Sequence, residues 1–146
     1  MTKPTIRISA LDAFLQNIID AAESGQTEGK PYEFAEVHLL DGHLTEHEEG
    51  LEEATVYAEV EAKSLAKAPI KTIGEIGPIS QSRGRTTLIT TDRSSIDKNG
   101  DAKYYALVNS KDKAVIATAA IKTQATVSEG NFFTLDPFTI SIEQPE

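Results

Sequence analysis

The fold is decided by the stretch of residues 104–121, which reads YYALVNSKDKAVIATAAI. Its two ends, residues 104–108 and 114–121, are rich in the apolar and β-branched side chains that favour strands. Between them, residues 109–113 (Asn-Ser-Lys-Asp-Lys) form a turn-promoting cluster. The stretch therefore predicts a β-hairpin around which the rest of the chain is organised.

Four more segments have strand-like patterns and end near turn-forming residues: 35–39, 56–60, 85–91 and 138–142. In three of them apolar and polar residues alternate, as in a half-buried strand, and the third in order is rich in threonine. Short strands separated by turns predict a mainly β fold, an antiparallel β-sandwich of Ig-like or jelly-roll-like type over about residues 32–143.

One N-terminal helix precedes these strands. Ser9 has the character of an N-cap, apolar residues follow at helical spacing, and Gly25 is a natural stop, so the helix is predicted at about residues 10–24. Its apolar stripe is expected to pack on one face of the sandwich or to plug an open end. The predicted core combines residues from the helix and the strands: Leu11, Phe14, Leu15, Ile18, Val56, Ala58, Val60, Leu107, Ile116, Phe138, Ile140 and Ile142.

Residues 63–84 are predicted to form a long loop, because prolines and glycines interrupt any regular pattern. The loop carries four isoleucines, which would expose much apolar surface if they stayed in water. Either the loop folds back over the edge of its own sandwich, or it reaches a neighbouring subunit. In the second case the candidate subunit-interface residues are Ile70, Ile73, Ile76 and Ile79.

The length of the chain and its net charge limit the functions that it can have. The 146 residues fit a single domain, and 23 acidic against 14 basic residues give a net charge of -9. Such a charge repels nucleic acid and anionic membranes, so neither is expected as a partner. The chain has no cysteine, which excludes disulfides and thiolate metal sites. Residues 1–4 lack the charged and apolar regions of a signal peptide.

A zinc-protease motif is matched by residues 43–47, His-Leu-Thr-Glu-His, which fit the pattern H-x-x-E-H. A zinc metalloenzyme using His43, Glu46 and His47 is therefore a remote alternative, but the segment follows an Asp-Gly turn and runs into further acidic residues. The sequence shows no Gly-x-Ser-x-Gly elbow and no phosphate-binding loop. The prediction is that the protein is not an enzyme, with no catalytic residue, cofactor site or metal site.

The C-terminal third carries a resemblance. Residues 102–109 and 114–121, followed by Val-Ser-Glu-Gly-Asn-Phe-Phe-Thr-Leu-Asp-Pro-Phe-Thr-Ile-Ser-Ile at 127–142, resemble small structural proteins encoded among the virion genes of tailed bacteriophages. The resemblance implies a non-enzymatic virion protein, a head decoration or fibre subunit or a tail or neck subunit.

The expected function follows from this resemblance. The chain is expected to assemble on the head or tail of the particle, with other virion proteins and copies of itself as partners. It would be made in the cytoplasm of the bacterial host and end in the virion. The alternative is a cellular carbohydrate- or ligand-binding β-sandwich module.

Overall fold

The computed structural model describes residues 7–42, 44, 53–79 and 84–142. They form two helices, α1 (Ile8–Glu23) and α2 (Glu53–Lys63), and nine strands. The strands are β1 (Ala35–Leu40), β2 (Ser64–Ile73), β3 (Gly77–Pro78), β4 (Arg85–Thr91), β5 (Ser94–Ser95), β6 (Gly100–Asn109), β7 (Ala114–Val127), β8 (Phe132–Phe133) and β9 (Phe138–Ile142). The predicted mainly β class with an N-terminal helix is confirmed, and a second helix is added to it.

Six strands build one antiparallel sheet in the order β9, β4, β2, β1, β6, β7, and the short β3 pairs beside β2 on β4. The sheet curls into a half-barrel. The strand partner of β2 changes at Pro69: residues up to Pro69 pair with β1, and residues from Ile70 onward pair with β4. β5 and β8 form a separate two-stranded ribbon.

The predicted hairpin is confirmed as β6 and β7, which pair from Asn109 opposite Ala114 to Gly100 opposite Val127. Both strands run further than the sequence pattern indicates. The turn closes with Lys113 at a φ of 54°, a left-handed conformation that an L-residue adopts at a cost. The predicted strands at 35–39, 85–91 and 138–142 are also confirmed.

The segment 56–60 was predicted as a strand, and that prediction is wrong because it lies in α2. Val56, Tyr57 and Val60 are buried and Ala58 is exposed, which is the pattern of one helix face. Val56, Ala58 and Val60 lie at every second position, which matches the alternating pattern of a strand over five residues. The surrounding alanine and glutamate residues are good helix formers, and Glu59 pairs with Lys63 one helical turn later at 2.9 Å.

The long loop predicted at 63–84 is also wrong, because its first half is the ten-residue strand β2. Ala66, Ala68 and Ile70 are buried, whereas Lys67 and Pro69 between them are exposed, so the period of two was present in the sequence. The presence of Pro69 led to the prediction of a loop, because proline cannot donate a hydrogen bond to a neighbouring strand. The strand tolerates it at the position where β2 exchanges one partner strand for the other.

α1 packs on the inner face of the curled sheet through a buried stripe of Leu11, Leu15, Ile19 and Ala22. The helix begins at Ile8 with Arg7 as N-cap and no side-chain capping hydrogen bond, so the predicted N-cap at Ser9 is wrong. The other predicted core residues of this helix, Phe14 and Ile18, lie one turn apart at the side of the stripe, which leaves Phe14 54% exposed and Ile18 half-buried.

Asn109, the last residue of β6, fixes the end of α1 to the hairpin. Its side chain is fully buried, and its Nδ2 donates to three carbonyl oxygens between Ala21 and Ser24 at 2.9–3.2 Å. Its Oδ1 accepts the backbone N–H groups of Lys111 and Asp112, both at 3.0 Å. One amide therefore satisfies carbonyls that the helix end leaves open and also shapes the β6–β7 turn.

The core lies on both faces of the central strands. An inner cluster joins α1 to the curled sheet, and an outer cluster joins α2 to β1 and β6. Of the predicted core, Leu11, Leu15, Val56, Val60 and Leu107 are buried. Half-buried positions are Ile18, Ile116, Phe138 and Ile140, while Phe14 and Ala58 are exposed; the side chain of Ile142 lies outside the described residues.

Candidate assembly interface

The four isoleucines predicted as a subunit interface do not form one surface. Ile70 is buried in the inner cluster with Val37 and Ile89, and the half-buried Ile73 packs against the same cluster. Ile76 and Ile79 are half-buried on either side of β3. Ile70 therefore belongs to the core of its own chain. A role in subunit contacts stays a prediction for Ile76 and Ile79.

The zinc motif cannot be placed, because His43, Glu46 and His47 lie outside the described residues. Within the part of the chain that the structure describes, no three His, Cys, Asp or Glu side chains come close enough to hold a metal ion.

A chain of three polar side chains lies where β1 meets the start of β2. The Nδ1 of His38 is 2.8 Å from the Oγ of Ser64, and its Nε2 is 3.0 Å from a carboxylate oxygen of Glu36. Burial alone would raise the pKa of Glu36, but the hydrogen bond and charge of His38, with the charge of Lys67, outweigh it. The pKa of Glu36 is therefore below its ordinary value.

This Ser64–His38–Glu36 chain has the residue types of a nucleophile, a base and an orienting acid. However, the Oγ of Ser64 also lies 3.3 Å from the carbonyl oxygen of Ala66, and the hydroxyl has one proton to donate. When Ala66 accepts that proton, Nδ1 of His38 must donate to Ser64 and cannot act as its base. The His38 side chain is 6% exposed. The arrangement is well suited to joining the two strands through hydrogen bonds.

An apolar cleft lies between β7 and β9, the strands at the two ends of the sheet, and we call it the β7–β9 cleft. Its floor contains Tyr105 and Leu107 of β6, and its two walls are residues 117–119 of β7 and 138–140 of β9. The cavity measures about 190 Å³. The rings of Tyr105 and Phe138 meet inside it at 4.8 Å between centroids.

The cleft continues along β7 into a wider part lined by residues 120–122 on one side and 135–138 on the other. Among the described strands, β7 pairs with β6 and β9 pairs with β4, so each turns its second edge toward the cleft. The half-barrel is thus left unclosed beside residues 117–122 of β7.

Charge is unevenly distributed around this cleft. The chain carries a net charge of -9, yet β7 has no acidic residue and one basic residue, Lys122, among its 14 residues. The wider part of the cleft has Lys122 on one wall and Asp136 on the other. Two copies of the chain therefore repel each other less along β7 than an evenly spread charge would allow.

The outer face of the β4 and β9 half of the sheet is also accessible, because α2 covers only the β1 and β6 half. It is a hydroxyl-rich surface in which Thr72 pairs with Thr90 at 2.5 Å and Thr86 with Ser141 at 2.6 Å. Leu88, between them on β4, is 46% exposed. This face is therefore rich in hydroxyl groups.

Sequence reasoning did not find the cleft or the His38 chain. Glu36 and His38 are two positions apart on one strand, so their shared face was readable, but Ser64 reaches them only through the pairing of β1 with β2. For the cleft, the signal was the alanine-rich stretch without acidic residues at 114–121. A strand of that composition lacks the charges and prolines that often protect an open edge.

Neither described helix is long and apolar enough to cross a membrane. In comparisons with known proteins, no family model, no curated protein and no solved structure matches this chain.

Proposed function

We propose that this chain is a non-enzymatic structural subunit of a tailed-bacteriophage virion, which assembles on the head or tail of the particle with other virion proteins and with copies of itself. The observation that carries the proposal is the β7–β9 cleft, with two strand edges that are turned toward each other and unclosed. Open edges accept further strands, and such addition is a common way for β-domains to join assemblies.

Two further points support an assembly role. The cleft lining is apolar or hydroxyl-bearing apart from Lys122 and Asp136, which suits contact with another protein better than acid–base chemistry. The C-terminal strands and turns resemble those of virion proteins. The site of action is then the virion, after synthesis in the host cytoplasm.

The sandwich subtype belongs to the same proposal. The β5–β8 ribbon contributes Phe133 to a cluster with Leu39 and Leu65, so it covers one end of the inner face. In an Ig-like or jelly-roll-like description, this ribbon and the segment leading to β9 would be the beginning of the second layer.

Electron cryomicroscopy of particles purified from the phage that encodes the chain tests this function. We expect density for the half-barrel at a repeated position on the head or tail, and loss of that density in particles from a deletion mutant. Complementation with the wild-type gene should restore it. Absence of the chain from purified particles, checked by peptide mass spectrometry, would contradict the proposal.

A ligand-binding module is the second candidate, and the cavity beside Tyr105 and Phe138 is the observation that favours it. Chemical shifts in NMR titrations with small apolar or glycan ligands would then move at these rings. Ala119→Leu should fill the cavity and abolish the shifts, whereas Leu88→Thr on the outer face should not. If neither ring shows a chemical-shift change with any ligand class, the result contradicts the ligand-binding function.

A further inference from the structure

We propose that Asn99 is a site of covalent modification, at which the side-chain amide is lost as ammonia and the residue becomes aspartate or isoaspartate. The proposal goes beyond the assembly role and does not depend on it. It rests on three features of the residues around Asn99: the glycine that follows it, the hydrogen bond that its side-chain oxygen accepts, and its place at the end of the β6–β7 ladder.

The glycine at position 100 makes this asparagine more reactive than the others in the chain. Asn99 is the one asparagine that precedes a glycine. Glycine has no side chain to hinder its backbone nitrogen, so an Asn-Gly pair closes a five-membered ring readily. Packing requires this glycine, because a Cβ at position 100 would lie 2.8 Å from Cδ2 of Leu65, which is 3% exposed. The reactive pair therefore follows from close packing against β2.

The reaction consumes only water. The backbone nitrogen of Gly100 loses its proton to solvent base and forms a bond to Cγ of Asn99, and the negative charge moves to Oδ1. When Oδ1 regains its double bond to carbon, the bond from Cγ to Nδ2 breaks, and ammonia leaves with a proton from water. Water then opens the resulting succinimide at either of its carbonyl groups, which gives aspartate or isoaspartate.

A backbone N–H group lies where negative charge develops in this reaction. The Oδ1 of Asn99 accepts the backbone N–H of Glu129 at 2.7 Å. A donor at this distance stabilises charge on the oxygen, as the donors of an oxyanion hole do. The side chain of Asn99 is exposed, so base and water reach it. The contact with Glu129 therefore favours attack at Cγ in the folded chain.

The reacting nitrogen lies at the end of a strand. Gly100 is the first residue of β6, and its pair with Val127 is the last of the β6–β7 ladder. Strand ends open more readily than strand centres, so this nitrogen becomes accessible without unfolding of the sheet. Asn109, at the other end of β6, is buried, and hydrogen bonds hold its amide on both sides. Position and exposure therefore distinguish Asn99 from Asn109.

Isoaspartate at this position should loosen the β5–β8 ribbon, because it adds one carbon to the backbone after position 99. The side chain of Asn99 is joined through Glu129 to the turn that follows β7. That turn holds the ribbon: the N–H of Ile96 donates to the carbonyl oxygen of Asn131 at 2.7 Å, and the N–H of Gly130 donates to that of Ile96 at 2.9 Å. The modification therefore acts on the end of the inner face that the ribbon covers.

Peptide mapping tests the site. The intact chain is incubated in mildly alkaline buffer, which favours loss of the Gly100 proton, and is digested and analysed by mass spectrometry at intervals. We expect the mass gain from replacement of NH2 by OH only in the peptide that contains Asn99, with ammonia released in equal amount. A protein isoaspartate methyltransferase should label the same peptide. Asn17 and Asn131 are the internal controls, because they are exposed but precede isoleucine and phenylalanine.

Two comparisons show whether the fold permits the reaction. A synthetic peptide of residues 96–102 gives the rate without the fold, and we expect a comparable rate in the folded chain. Asn99→Gln should abolish the conversion, because glutamine would need a six-membered ring, whereas the matched Asn131→Gln should leave it unchanged. No conversion at Asn99 in the folded chain while the peptide is converted, or equal conversion at Asn17 or Asn131, overturns the proposal.

Hydrogen exchange measures the effect on the ribbon. In the chromatographically separated isoaspartyl form, we expect faster exchange at the amides of Ile96 and Gly130, with no change at Lys111 and Asp112 at the other end of the hairpin. Asn99→Asp adds the charge without the extra carbon and should exchange like wild type. Unchanged exchange in the isoaspartyl form overturns the link to the ribbon. Absence of the chain from virions would contradict only the assembly role.

Discussion

The two halves of the sheet are covered differently. The β1 and β6 half is buried on both faces, by α1 on the inside and by α2 through Val56, Tyr57 and Val60 on the outside. The β4 and β9 half has α1 on its inner face but a bare, hydroxyl-rich outer face, and it ends at the β7–β9 cleft. We therefore expect the β1 and β6 half to contribute more to stability than the β4 and β9 half, whose outer face neither described helix covers.

The largest expected difference between the halves concerns core truncation. Leu107→Ala in β6 removes a side chain that is 1% exposed and should lower the free energy of unfolding by about 2–5 kcal/mol. Ile140→Ala in β9 empties a half-buried site beside the cleft and should cost about 1–2 kcal/mol. Urea denaturation of both variants measures the difference. Equal costs would contradict the comparison.

Loss of the Asn109 amide should have the next largest effect. Asn109→Ala leaves buried carbonyl groups at the end of α1 without their donor and should cost about 1–3 kcal/mol. Asn17→Ala, at an exposed position of the same helix, is the matched control and should change stability by less than about 0.5 kcal/mol. A comparable loss in both variants would mean that the amide does not hold the helix end.

Acid should selectively weaken the strand pairing that His38 and Glu36 support. The pKa of Glu36 is lower in the folded chain than its ordinary value of 4.5, so the folded state binds fewer protons there than the unfolded state. The resulting stabilisation is present above about pH 4.5 and is lost as the pH falls through the folded-state pKa. The stability advantage of wild type over Glu36→Gln should therefore shrink on acidification, measured by urea midpoints between neutral pH and about pH 3. Glu28→Gln, on an exposed loop, is the control.

Two threonines of β4 should respond with opposite signs. Among the residues that the structure describes, the buried Oγ1 of Thr91 has no hydrogen-bond partner, so Thr91→Val should stabilise the chain by about 0.5–1 kcal/mol. The Oγ1 of Thr87 donates to the carbonyl oxygen of Gly74 at 2.6 Å, and Thr87→Val should instead cost about 1–2 kcal/mol. Thermal unfolding of the two isosteric variants makes the comparison. The same sign for both would contradict the assigned hydrogen-bonding pattern.

The smallest effect is expected on the bare face. Leu88→Thr replaces a side chain that is 46% exposed and should change the free energy of unfolding by less than about 0.5 kcal/mol. Differential scanning calorimetry checks this value. A loss above 1 kcal/mol would show that Leu88 is covered in the isolated chain, and the bare face would then have to be redefined.

The sequence predicted the elements that rest on local patterns. The β6–β7 hairpin, β1, β4 and β9 were found because their period of two and their turn residues lie within a few positions of each other. α2 was missed because Val56, Ala58 and Val60 fit both a strand and a helix over so short a window. β2 was missed because Pro69 disqualifies a regular strand and only the change of partner strand makes it acceptable.

The candidate interface was less predictable because it depends on strand order. Residues 117–119 and 138–140 face each other only because β9 pairs with β4 and the sheet then curls, which no local pattern specifies. Ile70 could not be assigned to the core of its own chain for the same reason, because its burial depends on the pairing of β2 with β4.

The central position of β1 sets the order in which the chain can fold during synthesis. Ala35 pairs with Asn109, so β1 has only one of its two neighbours until the ribosome has released β6. Asn109 is also the residue that holds the end of α1. The first helix and first strand therefore wait for a distant part of the chain, and their apolar surfaces stay exposed meanwhile. Such non-local closure slows folding and leaves the nascent chain open to premature association, so chaperone binding should be strongest before residue 109 emerges.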